Sequence, residues 1–394
     1  MKKPALVFAA IIILSGVITD CTKKSQPVSP AATATAVPVS VYTKTATAIN
    51  TATITATASA SATAKSTATQ AVNTATVTLT APVPPSATQT ASAIITATAT
   101  QTATSAATIN AQALVTVPGG TFTQSDVTGD SFQSTISGFM MGKYQVTYYL
   151  WYTVYQWAIA NGYIFQDAGR EGSAGTIGAA PVTTSQPLNY INWRDAIVWC
   201  NAYSQMTGLT PVYCSDSGLT MPIKDSTNGS YGSATCTTAG CYDNPYVNWS
   251  TNGYRLPTES EYQYAASYID GTNWTPYNYA SGAADVNTDF AATELVAWFS
   301  IDTGGSAQPV GELAPNALGI YDMSGNIDEW CWDWYGTYPT TATINYRGPA
   351  SGSERVMRGG NAATDNMNTQ VGLRDAYLPY GVTFLTGFRF ARTE

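Results

Sequence analysis

From Thr22 to about Gln112 the chain consists almost wholly of Thr, Ala, Ser, Val and Pro, in phrases such as TATITATASASATAKSTATQ, and this tract decides where a fold can form. It is nearly free of charge, glycine and large apolar side chains. With so little to bury, it cannot offset the entropy of ordering a chain, so it reads as a disordered tether or stalk, open to O-glycosylation. As a flexible coil of about 90 residues it would reach roughly 50 Å, and further if Pro and β-branched residues stiffen it. Folded structure is therefore expected in residues 113–394.

Ahead of the tract, residues 1–21 carry Lys2 and Lys3 and an apolar run from Ala5 to Val17. The run is too short to span a bilayer as a stable helix and reads as an export signal. Cys21 follows directly, where bacterial lipoprotein processing would remove the signal and leave the cysteine as a lipid-carrying N-terminus. Asp20 stands where a small residue is usual, so an ordinary secretory signal and an uncleaved anchor are the other readings. Multiple acyl chains would hold such a protein firmly, one chain only marginally.

Beyond the tract the composition changes abruptly. All 10 tryptophans lie between Leu114 and Glu394, in a segment long enough for one large core. A net charge of -8 with no basic patch argues against a nucleic-acid partner. The chain has no histidine, which removes the commonest general base and the commonest transition-metal ligand. Cys214, Cys236 and Cys241 share a Gly/Ser/Thr-rich insertion, which predicts one local disulfide, and with Cys200 and Cys331 at least one thiol must stay free or pair outside the chain. The spacings lack the paired CxxC of zinc sites.

Local patterns place the first elements. ALVTVPGGTFTQ alternates on either side of Pro118-Gly119-Gly120 and predicts a β-hairpin. A strand is expected at Phe139 to Tyr144, then a helix from a Thr147 cap through Ala160, stopped by Gly162. NYINWRDAIVWCNAYSQMTG repeats this grammar, with Asn192 or a residue near it as cap and Gly208 as end. Thr258 and Glu261 form a capping box for a helix to about Ala266. Trp330, Trp332 and Trp334 alternate as on a strand face or packed loop and are expected in the core, with sugar-stacking as their alternative. The remainder, dense in Gly, Asn and aromatic residues, predicts an α+β domain with much irregular structure.

The segments VPGGTF, ISGFMMGKYQVT, INWRDAIVWCN, GYRLPTESEYQYAA, PNALGIYDMSGNIDEW, RVMRGG and GFRFAR stand in an order and spacing that resemble the formylglycine-generating enzyme/sulfatase-modifying-factor domain. The resemblance implies a C-type lectin-like fold. Enzymes of the family bind copper through two cysteines soon after the RGG turn and oxidise a substrate cysteine. Here Thr364 and Thr369 stand about where those cysteines would fall, and a histidine-bound iron, used by another branch, is impossible without histidine. No enzymatic activity is therefore expected. Asn326 and Glu329 match family positions that help hold calcium, with Asp328 in place of the usual Trp, so the resemblance offers a structural calcium there, with a turn held by Asn326 hydrogen bonds and Trp330 packing as the other reading, and no other cofactor is expected.

Within this fold group the chain looks most similar to the variable proteins of diversity-generating retroelements, whose C-terminal segment is rewritten at adenines. Known examples include spirochaete surface lipoproteins, which implies lipid anchoring at Cys21 on the outer membrane. Changing the first two bases of an Asn codon never yields Trp, Met, Lys, Glu or Gln, and between Asn361 and Leu385 only Met367 and Gln370 are of those types. Val371, Arg374, Pro379 and Gly387-Phe388-Arg389 fall at fixed scaffold positions, within a variable region of about 358–392. The diversifiable, ligand-binding candidates are Ala362, Ala363, Thr364, Asp365, Asn368, Thr369, Leu373, Asp375, Ala376, Tyr377, Leu378, Tyr380, Val382, Phe384 and Leu385, expected to project from turns and an edge into solvent. Leu373, Val382 and Phe384 have core packing as their alternative. Tyr377, Tyr380 and Phe384 would be anchoring contacts, whereas Arg358, Arg374 and Arg389 are expected to brace loops. The resulting expectation is a surface-displayed, monomeric head that binds an unknown protein or surface ligand. A non-diversified, inactive envelope scaffold or partner subunit, and an enzyme with an unrecognised site, are the rival readings.

Overall fold

The computed structural model describes residues 113–227 and 235–394. The expected signal, Cys21 and the Thr/Ala/Ser tract lie outside the described residues. Among those described, no helix is long and apolar enough to cross a membrane.

The first strands are β1 (Leu114–Val117), β2 (Gly120–Ser125), β3 (Ser131–Ile136) and β4 (Phe139–Gly142). The hairpin expected of β1 and β2 does not form. β1 pairs antiparallel with β4, Val117 opposite Phe139, while β2 pairs with β3 in a separate sheet. Gly119 shows why: a Cβ there would lie 2.8 Å from the Ile136 carbonyl oxygen and 2.9 Å from the Gly138 nitrogen. Pro118-Gly119 is thus a tight crossover between sheets, packed against the β3–β4 connection.

The helices follow their caps. α1 (Tyr148–Ala160) starts where the Thr147 hydroxyl accepts the Leu150 N–H at 3.2 Å, and the chain then turns at Gly162, φ +80°. β5 (Arg170–Glu171) and β6 (Leu188–Asn189) form a short antiparallel pair ahead of α2 (Trp193–Met206), whose Asn192 and Asp195 make a reciprocal capping box. The fully buried Trp151 and Trp199 stack between α1 and α2, centroids 6.0 Å apart. β7 (Tyr213–Cys214) pairs with β8 (Tyr246–Val247), and α3 (Glu259–Ser267) carries the Thr258–Glu261 capping box. Short helices α4 (Phe290–Thr293) and α5 (Ser300–Thr303) follow. The expected local disulfide joins Cys236 to Cys241, and Cys200, Cys214 and Cys331 are free and buried.

The last third supplies β9 (Asp328–Trp334), β10 (Thr343–Ile344), β11 (Arg355–Arg358), β12 (Asp375–Tyr377), β13 (Thr386–Gly387) and β14 (Ala391–Thr393). β9 is buried along its whole length in a sheet of order β12-β11-β9-β13. Its alternation separates two cores: Trp330 and Trp332 join the helical core around Trp151, Trp193 and Trp199, while Cys331 faces the core built on Phe122, Tyr262 and Tyr264. β14 returns to pair with β4, so the last strand of the head closes the sheet that its first strand opened.

Candidate functional site

Between β11 and β13 the chain forms a frame with loosely held contents. Gly359 and Gly360 take φ of +95° and +73°, and a Cβ on Gly360 would collide with the Asn368 carbonyl oxygen, so the turn is closed to other residues. Arg358 donates to the carbonyls of Val371 at 2.7 Å, Gly372 at 3.3 Å, and Leu373. Arg374 holds the Glu259 carboxylate at 2.5 and 2.8 Å and the Gly336 carbonyl at 2.9 Å. Arg389 grips both oxygens of Glu329 and reaches the carbonyls of Gly142, Tyr321 and Asp322. Arg355 lies between Trp193 and Trp334, 3.9 and 3.6 Å from the ring centroids, and donates to the Trp332 and Asp243 carbonyls. As expected, Arg358, Arg374 and Arg389 brace loops through carboxylates and carbonyls.

The candidate contact residues divide by burial. Ala363, Asp365, Asp375, Tyr377 and Phe384 are exposed, and Thr364, Asn368, Leu373, Ala376, Leu378, Tyr380 and Val382 are partly exposed. Three expectations are corrected. Ala362 and Leu385 are buried in a small apolar cluster with Ala307 and Ile327, pinning both ends of the segment to the start of β9. Thr369 is buried, its hydroxyl donating to the Asn366 carbonyl at 2.8 Å within the 3-10 turn Asn366–Thr369. Phe384 is 65% exposed, which removes its core alternative. Of the two residues that an Asn codon cannot reach, Gln370 is buried and Met367 exposed.

Elements far away in sequence complete the face, and no sequence signal marked them. The Phe384 ring lies 4.5 Å from the Arg170 guanidinium, which also faces Tyr190 at 5.5 Å. Burial lowers the Arg170 pKa, with Tyr190 acting the other way. The Tyr380 ring is 5.4 Å from Arg194, which is sandwiched with Tyr242 at 4.2 Å and ion-paired to the buried Asp243 at 2.6 Å. Cys236 donates its N–H to the same Asp243, so the disulfide-closed loop supports the floor under Tyr380. Asp328, first residue of β9, accepts a 2.5 Å hydrogen bond from the Asn361 amide. Burial pushes its carboxyl up to about 7; Asn361 opposes the rise, and the charges of Asp375 and Glu329 add to it.

Asn326 and Glu329 do not fit a calcium site, because their donors and acceptors are engaged. The Asn326 amide donates to Gln145 Oε1 at 2.9 Å and to the Gln308 carbonyl at 3.1 Å, and accepts the Gln308 N–H at 2.9 Å. Glu329 carries the Arg389 guanidinium on both oxygens, together with the Gln145 amide at 3.0 Å. Among the described residues no three His, Cys, Asp or Glu side chains are grouped to hold a metal ion. A copper centre on paired thiolates does not fit either. Thr364 and Thr369 supply hydroxyls at those positions, and burial raises the pKa of the free thiols Cys200, Cys214 and Cys331, disfavouring thiolate.

The architecture is a C-type lectin-like head of the formylglycine-generating enzyme subtype, with a braced C-terminal loop region. The chain belongs to the sulfatase-modifying factor enzyme 1-like domain family, which matches residues 98–394. It is 32% identical over 251 residues to the chaperone protein LppX of Paenibacillus barcinonensis, covering 59% of this chain and 75% of that one. It is 28% identical over 309 residues to the formylglycine-generating enzyme of Thermomonospora curvata, covering 71% and 93%. Among solved structures, Treponema denticola variable protein 1 matches with a TM-score of 0.56 and 27% identity, covering 71% of this chain and 95% of that one.

Proposed function

We propose that this protein is a ligand-binding protein, not a catalyst, and that residues between Asn361 and Leu385 form a diversified binding face. The observation that carries the reading is the division of labour in the segment. Arg358, Arg374 and Arg389 are tied to buried partners, while Ala363, Asp365, Asp375, Tyr377 and Phe384 reach solvent. Side chains of the second kind can be exchanged without disturbing the core, which a rewritten surface requires. Likeness to the variable protein supports the same reading, as do hydroxyls in place of thiols at 364 and 369. We further propose that Cys21 carries the lipid anchor and that the Thr/Ala/Ser tract holds the head off the outer membrane.

The gene's neighbourhood tests diversification. A reverse transcriptase and a near-copy of the final coding stretch, differing almost only at adenines, are expected; absence of the copy removes the claim. Incubation with copper and a sulfatase-type cysteine peptide is expected to yield no aldehyde, and turnover would make the protein an enzyme. Similarity to a chaperone protein favours one second reading, a non-diversified envelope scaffold or partner subunit. It predicts a single C-terminal sequence across isolates and capture of one constant partner.

A further inference from the structure

We propose that this face receives a cationic group, a lysine or arginine side chain of a partner protein, on the carboxylate of Asp328. The inference rests on the binding-face reading above and names the chemistry of its ligand. Charge is segregated across the segment. Arg355, Arg358, Arg374 and Arg389 are all turned inward, each held by carbonyls or by Glu259 or Glu329. The acids point the other way. Asp365 and Asp375 are exposed, and neither forms an ion pair among the described residues; Asp365 accepts only from Asn368 and Asp375 only from the Ala376 N–H.

Asp328 is the independent observation. It is 93% buried, with 7% of its surface open, yet no arginine or lysine among the described residues pairs with it. Its neighbour Glu329 has Arg389 on both oxygens, whereas Asp328 has one neutral donor, Asn361, on Oδ2, and among the described residues nothing donates to Oδ1. A buried carboxylate without a counter-charge is costly to keep. The charges that act on Asp328 from β12 and from its own strand, Asp375 and Glu329, are like charges, so they supply no counter-charge. A guanidinium or ammonium arriving over Asn361 would supply the N–H donors that Oδ1 lacks, with Asp375 and Asp365 drawing it in from solvent. The exposed Tyr377 and Phe384 offer rings for the aliphatic stem or for aromatic neighbours in the partner.

The test uses the full chain in detergent, titrated calorimetrically with two capped peptides, Gly-Arg-Tyr-Arg-Gly and Gly-Glu-Tyr-Glu-Gly. The basic peptide is expected to bind and the acidic one not. Asp328→Asn is expected to weaken binding about tenfold or more. Asp130→Asn, at the exposed β2–β3 turn, makes the same change in net charge and is expected to weaken it less than about twofold. No binding of the basic peptide, or equal effects of the two substitutions, overturns the proposal. Tyr377→Ala and Phe384→Ala separate it from the reading beneath it. Loss on those two with none on Asp328→Asn keeps the face and removes the cation site, while loss on Asp328→Asn alone keeps the cation site and removes the aromatic face.

Discussion

Arg389 donates two hydrogen bonds of 2.7 Å to Glu329, and neither side chain has any exposed surface. The pair ties the strand leading to β14 to the middle of the β12-β11-β9-β13 sheet, behind the candidate face. Each partner alone would be a buried, uncompensated charge, so Arg389→Ala or Glu329→Ala is expected to cost about 3–5 kcal/mol. Urea unfolding followed by tryptophan fluorescence measures this; a loss below about 1 kcal/mol would show that the pair does not hold the frame.

The frame and its contents should differ sharply in tolerance. Gly360→Ala places a Cβ against the Asn368 carbonyl at a φ of +73° and is expected to destabilise the head by about 2 kcal/mol or more. Ala363→Thr and Phe384→Ser act on exposed positions and are expected to stay within about 0.5 kcal/mol of the parent. Thermal unfolding of the three variants decides it, and equal losses would count against a surface built for exchange.

What could be read in the sequence was local. Thr147, Asn192 and Thr258 are found as caps because a cap satisfies N–H groups within three residues of itself. The alternation of Trp330, Trp332 and Trp334 leaves a strand face or a packed loop open, and the strand is what forms, as β9. β1 and β2 misled because Pro118-Gly119-Gly120 carries a turn signal, while pairing was set by β4 and by the room left beside Ile136. The same distinction runs through the site. The RGG turn and the bracing arginines are legible; the burial of Ala362, Thr369 and Leu385 is not, since it depends on Ile327, Ala307 and Asn287 arriving from elsewhere. Arg170, Arg194 and Tyr242 reach the face only through tertiary packing, so nothing near them in sequence announces the role.

The Cys236–Cys241 bridge should matter more to the face than to global stability. It closes a short loop, so its removal is expected to cost at most about 2 kcal/mol. Cys236 nevertheless donates to Asp243, which holds Arg194 under Tyr380. A Cys236→Ser, Cys241→Ser double variant is expected to keep a cooperative melt while amide exchange rises at residues 236–243 and around Tyr380. Unchanged exchange near Tyr380 would break the link from disulfide to face.

Asp328 makes the pH dependence of stability testable, and its sign is opposite to that of an ion-paired acid. In the unfolded chain its carboxyl releases its proton near the ordinary 3.8, whereas burial holds the proton in the folded state up to about 7. Between those values the folded state binds more protons, so this residue removes stability as pH rises from about 4 to about 7, after which its effect is constant. The full penalty is on the order of 4 kcal/mol, and Asp328→Asn, which keeps the shape without the charge, escapes it. Melting curves of the parent and the variant are expected to lie close together near pH 4 and to separate through neutrality, with the variant the more stable at pH 8. A gap that does not change with pH would mean that the folded carboxyl titrates normally and that burial does not hold its proton.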